Sequence, residues 1–186
     1  MAIDDLIQDA TRRMDKSVEA TRHEFTTIRT GRASAALLER INVSAYGTKM
    51  PINQLATISV PEPRLLTITP FDKGIMKEIE KGILESDLGL TPSNDGQLIR
   101  LPIPQLTEER RKELVKQVRH LAEEGRVAAR NVRRDAQHQL KEAEKNGETG
   151  ADDVRRAEDR LQKVTDEHVT AIDAALKAKE AEIMEV

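Results

Sequence analysis

Between Lys112 and Lys141 this chain carries a row of basic side chains whose spacing suits one chemistry, the binding of phosphate. Laid on a helix at about 100° per residue, Lys112, Lys116, Arg119, Arg126, Arg130, Arg133, Arg134 and Lys141 fall within about 60° of a single line. A guanidinium holds its charge permanently and presents a planar fork that bonds two phosphate oxygens at once, which an ammonium does not. The four arginines from Arg126 to Arg134 span about 12 Å at 1.5 Å per residue, enough for two or three phosphates of a nucleic acid. Glu123 interrupts the row, and Glu113, Glu124, Asp135 and Glu142 lie to one flank. A charged helix face can equally be a solvated surface. One-sidedness separates the two readings, because solvating faces mix signs in i,i+4 pairs.

Bulk composition conceals this pattern. The chain holds 30 Lys+Arg against 33 Asp+Glu, yet residues 105–145 carry eleven basic and eight acidic side chains, and residues 146–186 carry six and eleven. The local imbalance, +3 against −5, is what a nucleic acid would meet. Phe25, Tyr46 and Phe71 are the only aromatics, so base-stacking platforms are excluded and the contact should follow backbone shape.

Catalytic readings find no support. His23, His120, His138 and His168 are scattered at polar positions, no His-Glu-x-x-His pattern occurs, and no cysteine is present to complete a metal site. Asp152-Asp153 and Glu123-Glu124 are adjacent pairs, which point to different faces of a helix and make poor acid/base dyads. Gly147-Glu148-Thr149-Gly150 lacks the length and the lysine of a phosphate-binding loop. The expectation is a protein that is not an enzyme, uses no cofactor and takes any energy input from a partner. Absence of cysteine suits a reducing cytosol. No apolar run approaches the ~20 residues of a membrane span, and Met1-Ala2-Ile3-Asp4-Asp5 has neither the basic start nor the apolar stretch of a signal peptide. A cytoplasmic protein with no membrane partner is expected.

Proline distribution divides the elements that must position the arginines. All seven prolines lie between Pro51 and Pro104, which leaves the flanks free to form long helices. Apolar periodicity predicts a first helix from about Ile3 to Arg29, with Ile3, Ile7, Ala10, Met14, Ser17, Thr21 and Ile28 in stripe and Leu6, Val18 and Phe25 widening it. A second starts at Thr107, a suitable N-cap, and stops near Asn146-Gly147. Its core side is Leu114, Val118, Leu121, Gly125, Ala128, Val132, Ala136 and Ala143. A third begins around Asp152-Asp153, and the short Gly-Glu-Thr-Gly link makes it an antiparallel neighbour of the second. In the middle segment, Ile41, Val43 and Ala45, Ile58 with Val60, and Leu66 with Ile68 alternate as half-buried strands, and Leu98 to Leu101 reads as a last strand. Lys73 to Ser86 has helical spacing, and Tyr46-Gly47 and Asn94-Asp95-Gly96 are turns. The fold class expected is α+β in two domains. Residues 1–30 plus 106–186 form a long antiparallel three-helix bundle, and residues 31–105 an inserted, β-rich α/β domain. Two short crossings join them: Thr30, Gly31 and Arg32 on one side, Pro104, Gln105 and Leu106 on the other, placed to act as a hinge.

Four blocks are similar to the bacterial ribosome recycling factor family: Arg29-Thr30-Gly31-Arg32-Ala33, Ser86-Asp87-Leu88-Gly89-Leu90, Leu106-Thr107-Glu108-Glu109-Arg110-Arg111-Lys112 and Arg130-Asn131-Val132-Arg133-Arg134-Asp135. The resemblance runs the whole length in order. It implies an L-shaped molecule with a three-helix bundle and a small hinged domain, acting as a monomer. It implies binding to the ribosome after termination and, with elongation factor G and that partner's GTP hydrolysis, splitting of the subunits with release of mRNA and tRNA. The bundle would contact large-subunit ribosomal RNA at the subunit interface through Arg130 and Arg133, with Arg134 adjacent. The full set expected to touch RNA is Arg119, Arg126, Arg130, Arg133 and Arg134, together with Arg29. The rival reading is a coiled-coil-like structural scaffold that binds other proteins, which would need neither the arginine concentration nor the inserted module.

Overall fold

The computed structural model describes residues 2–185, which divide into two compact units: residues up to Thr30 together with Glu108 onward, and Gly31–Thr107. The class is α+β.

The first unit is three helices, α1 (Ile3–Thr27), α3 (Glu108–Lys145) and α4 (Ala151–Met184), each packed on the other two. Their directions follow from which residues meet. Arg13 reaches Asp135 and Thr21 lies against Gly125, so α1 and α3 run antiparallel. Asp4 meets Arg160 and Asp15 meets His168, so α1 and α4 run parallel. The turn between α3 and α4 is closed by Gly147 at φ +73°: its N–H donates to the Glu144 carbonyl and the Glu148 N–H to that of Ala143. This left-handed C-cap pairs carbonyls that the helix end would otherwise leave open.

The core of this unit is Leu6, Ile7, Ala10 and Met14 of α1 against Ala129, Val132, Ala136 and Leu140 of α3 and Val154, Ala157 and Leu161 of α4. On α3 the fully buried line runs Leu114, Val118, Ala122, Gly125, Ala129, Val132, Ala136, Leu140 and Ala143. Leu121 and Ala128, expected on that line, are only half-buried. A helix of about 3.6 residues per turn that faces two partners buries a stripe wider than one seam, and its centre drifts across 38 residues. Small residues hold that centre: a Cβ on Gly125 would run into Thr21 Oγ1, so the α1–α3 approach is set by the missing side chain.

The second unit holds a hairpin, β1 (Asn42–Ala45) with β2 (Thr48–Pro51), and an antiparallel four-stranded sheet. The sheet comprises β3 (Ala56–Glu62), β4 (Leu65–Pro70), β5 (Ser93–Asn94) and β6 (Ile99–Pro102) in the order β3-β4-β6-β5. The helix α2 (Met76–Glu85) packs on β1, with Gly82 over Val43. Tyr46 at φ +52° and Gly47 at φ +78° make the tight turn whose twist matches the hairpin. Leu38, Val43, Ile52, Leu66, Ile68, Ile79, Ile83, Ile99 and Leu101 close the core with no exposed surface. The short strands β2 and β5 carry no apolar alternation and were not foreseen. Val60, expected to be half-buried, is exposed: the β3–β4 register shifts between Ser59 and Glu62, and the shift carries this end of the edge strand off the core.

Candidate nucleic-acid interface

Amphipathicity fixes where the arginines stand. Burial of the Leu114–Ala143 line leaves Arg119, Arg130 and Arg134 on the outer half of α3 and sets Arg126 and Arg133, both half-buried, on its border toward α4, over four turns of the helix. They are not equivalent. Arg119 Nε donates to Glu180 Oε1 of α4 at 2.5 Å. Arg126 lies deeper, its side chain 19 % exposed; Nε donates to Asp173 Oδ1 of α4 at 2.7 Å and Nη1 to Glu123 Oε2 at 2.8 Å. Both groups titrate above the ordinary arginine range. For Arg119 the hydrogen bond and the charge of Glu180 are the cause. For Arg126 partial burial opposes the charge and the two carboxylates outweigh it. These two side chains are spent largely on clasping α4.

The other three keep more of their donors. Arg130 has one long contact, Nη1 to Glu123 Oε1 at 3.4 Å, and it shares that carboxylate with Arg126. Arg133 Nη1 donates to the neutral amide oxygen of Gln162 at 2.6 Å, while its Nε is buried without an acceptor. Arg134 is exposed and makes no ion pair or hydrogen bond among the described residues. Of the five arginines, those at residues 130–134 are therefore the least neutralised, with the exposed Asn131 between. The guanidinium N–H groups left over after these contacts make this a surface for anionic backbone.

Arg29 stands apart. It follows α1 beyond the Thr21–Gly125 contact, on the far side of that contact from Arg13 and Asp135, and so does not join the 130–134 group. The sequence reading missed the partners on α4. Glu180, Asp173 and Asp166 recur at heptad spacing, as Arg119, Arg126 and Arg133 do on α3, and that matched period was the available signal.

The residues at the crossings are held within their own units. In the first, Thr30 Oγ1 donates to Glu182 Oε1 at 3.0 Å, and Lys179 Nζ lies 3.5 Å from Glu182 Oε2. In the second, Gly31 has φ +75°, and a Cβ there would meet Leu106 Cγ at 3.1 Å, so both its conformation and the space beside it call for glycine. The Ala33 N–H donates to the Pro63 carbonyl at 2.7 Å and the Ile103 N–H to the Arg64 carbonyl at 2.8 Å. Gln105, with its amide oxygen turned toward Arg64, accepts from Nη2 at 2.9 Å. Arg32 is exposed and Pro104 follows the sheet. No helix among the described residues is long and apolar enough to cross a membrane.

A helical unit with an arginine face and a small α/β unit inserted in its chain defines an α+β protein with a surface suited to anions, and comparison with known proteins supplies the family. The family model described as Ribosome recycling factor matches residues 21–184. The ribosome-recycling factor of Rubrobacter xylanophilus is 61 % identical over 180 residues, covering 97 % of each chain, and that of Geobacillus thermodenitrificans is 58 % identical over 181 residues, covering 97 % of this chain and 98 % of its own. A solution structure of the ribosome recycling factor aligns over 100 % of this chain and 99 % of its own at 44 % identity, with a TM-score of 0.72. A second structure, described as models for the T. thermophilus ribosome recycling factor and the E. coli elongation factor G bound to the E. coli post-termination complex, aligns over 100 % of both chains at 45 % identity and TM-score 0.63. The chain belongs to the ribosome recycling factor family.

Proposed function

We propose that this protein binds the ribosome after termination and, with elongation factor G and the GTP that partner hydrolyses, separates the subunits and frees mRNA and tRNA. The observation that carries this is family membership over nearly the whole chain, joined to a cationic patch on the outer side of α3. On this reading Arg130, Arg133 and Arg134 neutralise phosphates of large-subunit ribosomal RNA at the subunit interface, and Arg126, Arg119 and Arg29 contribute less directly. The protein is not an enzyme, works in the cytoplasm as a monomer and needs no cofactor of its own.

Residues 1–30 with 106–186 act as one domain and residues 31–105 as another, moving about the crossings at Thr30, Gly31 and Arg32 and at Pro104, Gln105 and Leu106. The left-handed Gly31 and the fixed φ of Pro102 and Pro104 favour a defined hinge over a floppy link. Post-termination ribosomes mixed with the protein, elongation factor G and GTP should lose light scattering as 70S particles split. Unchanged scattering with an active partner would overturn the proposal.

A further inference from the structure

The third rung of the α3–α4 contact breaks a pattern. Arg119 faces Glu180 and Arg126 faces Asp173, one heptad apart on each helix. The same antiparallel register brings Asp166 opposite Arg133. Arg133 nevertheless bonds Gln162 Oε1 at 2.6 Å, and Gln162 Nε2 donates to Asp166 Oδ1 at 2.8 Å. An arginine only donates and an ionised carboxylate only accepts, so a neutral group that both accepts and donates, here the Gln162 amide, can stand between them with both satisfied. A glutamate at 162 would set two carboxylates one turn apart and cancel the charge of Arg133, whereas an apolar side chain would leave the guanidinium free to fall onto Asp166.

We propose that Gln162 is a positioning residue for RNA contact: it holds Arg133 at the edge of α3 beside α4 while keeping its charge from being neutralised by Asp166. The first two rungs clasp the helices with ion pairs, and the third clasps them with a neutral amide, so positive charge is retained where Arg130 and Arg134 also lie. The inference rests on the reading of residues 130–134 as an RNA surface. It adds a residue of another helix, itself without charge, that sets how much of the surface is usable.

The test uses the whole protein and purified large ribosomal subunits, with affinity measured across a salt series. One phosphate contact contributes about 0.7–0.9 to the slope of log K against log salt, worth roughly fivefold at 0.15 M. Gln162→Glu should bind roughly fivefold more weakly with a slope shallower by about that amount, and its urea midpoint should not fall. Gln162→Met should weaken binding in the same way, and adding Asp166→Asn to it should restore both affinity and slope, which a merely structural role would not do. Wild-type affinity and slope in Gln162→Glu, alongside a loss in the Arg130→Ala/Arg133→Ala/Arg134→Ala triple variant, would overturn the role of Gln162 alone. A triple variant that binds as wild type would overturn the RNA surface and this inference with it.

Discussion

Replacing Gly125 with alanine sets two well-understood effects against each other. Glycine in a helix interior is about 1 kcal/mol worse than alanine, so on propensity the change stabilises. The structure reverses the sign. A Cβ at 125 would land on Thr21 Oγ1 and sit 3.2 Å from both Thr21 Cβ and Ile172 Cδ1. Thr21 cannot swing aside: it is β-branched, buried in α1, and its Oγ1 donates to the Ser17 carbonyl at 2.9 Å. Rotating χ1 one way would exchange the oxygen for a larger methyl, and either rotation would break the bond to Ser17. Relief thus requires α1 to part from α3 by about 1 Å, and even a 0.5–1 Å gap forfeits a quarter to a half of each contact's dispersion well. Overpacking of this kind costs about 1–3 kcal/mol, toward the upper end when two helices must separate. After the propensity gain, Gly125→Ala should lose about 2 kcal/mol, a fall in Tm of about 4–8 °C for a chain of this size. Urea unfolding followed by circular dichroism at 222 nm measures it. Thr21→Ala should relieve the overlap, so the double variant should be more stable than the sum of the single changes by at least about 1 kcal/mol. A Gly125→Ala protein as stable as wild type would refute the close approach of the two helices.

Three shorter expectations concern charge and backbone. The backbone N–H groups of Leu98 and Gln97, followed by Arg100, hold the Asp95 carboxyl down to about 2. A lowered folded value means that its contribution is present above the unfolded value near 4 and is lost as pH falls through 2; the Tm advantage of wild type over Asp95→Asn should therefore shrink between about pH 4 and pH 2. Arg126→Ala should lower stability by about 1 kcal/mol through lost contacts to Asp173 and Glu123, whereas Arg134→Ala should leave the unfolding free energy in urea within about 0.5 kcal/mol of wild type and weaken binding to ribosomal subunits. Gly147→Ala meets no steric obstacle, with nothing within 4 Å of its Cβ. It should still destabilise the protein by about 1–3 kcal/mol from the left-handed φ alone, read as a Tm shift.

What could be read from the chain followed the strength of its periodic signals. Helices α1, α3 and α4 were legible because Met14, Val132 and Leu161 belong to long stripes with one period and no proline. The left-handed end at Gly147 was legible because few residues tolerate that conformation. The strands β2 and β5 were not: Thr48 to Pro51 and Ser93-Asn94 owe their pairing to neighbours across the hairpin and the sheet, and pairing leaves no mark in polar, four- and two-residue runs. Leu121 and Ala128 were misplaced because a single-seam stripe does not describe a helix with two partners. At the candidate interface the side of α3 was readable, but not the division of labour on it. Whether an arginine is spent on a carboxylate depends on α4 residues roughly 30 to 60 positions away in the chain.

Ribosome binding, as proposed, depends on phosphate binding by the cluster at Arg130, Arg133 and Arg134. Its most direct test is the salt dependence of binding to purified large ribosomal subunits, wild type against the triple alanine variant. Three lost contacts should flatten the slope of log K against log salt by about 2 to 3 and weaken binding at 0.15 M by roughly two orders of magnitude, with the 222 nm signal of the three helices intact. A triple variant that keeps the wild-type slope and affinity would show that this side of α3 is a solvated surface.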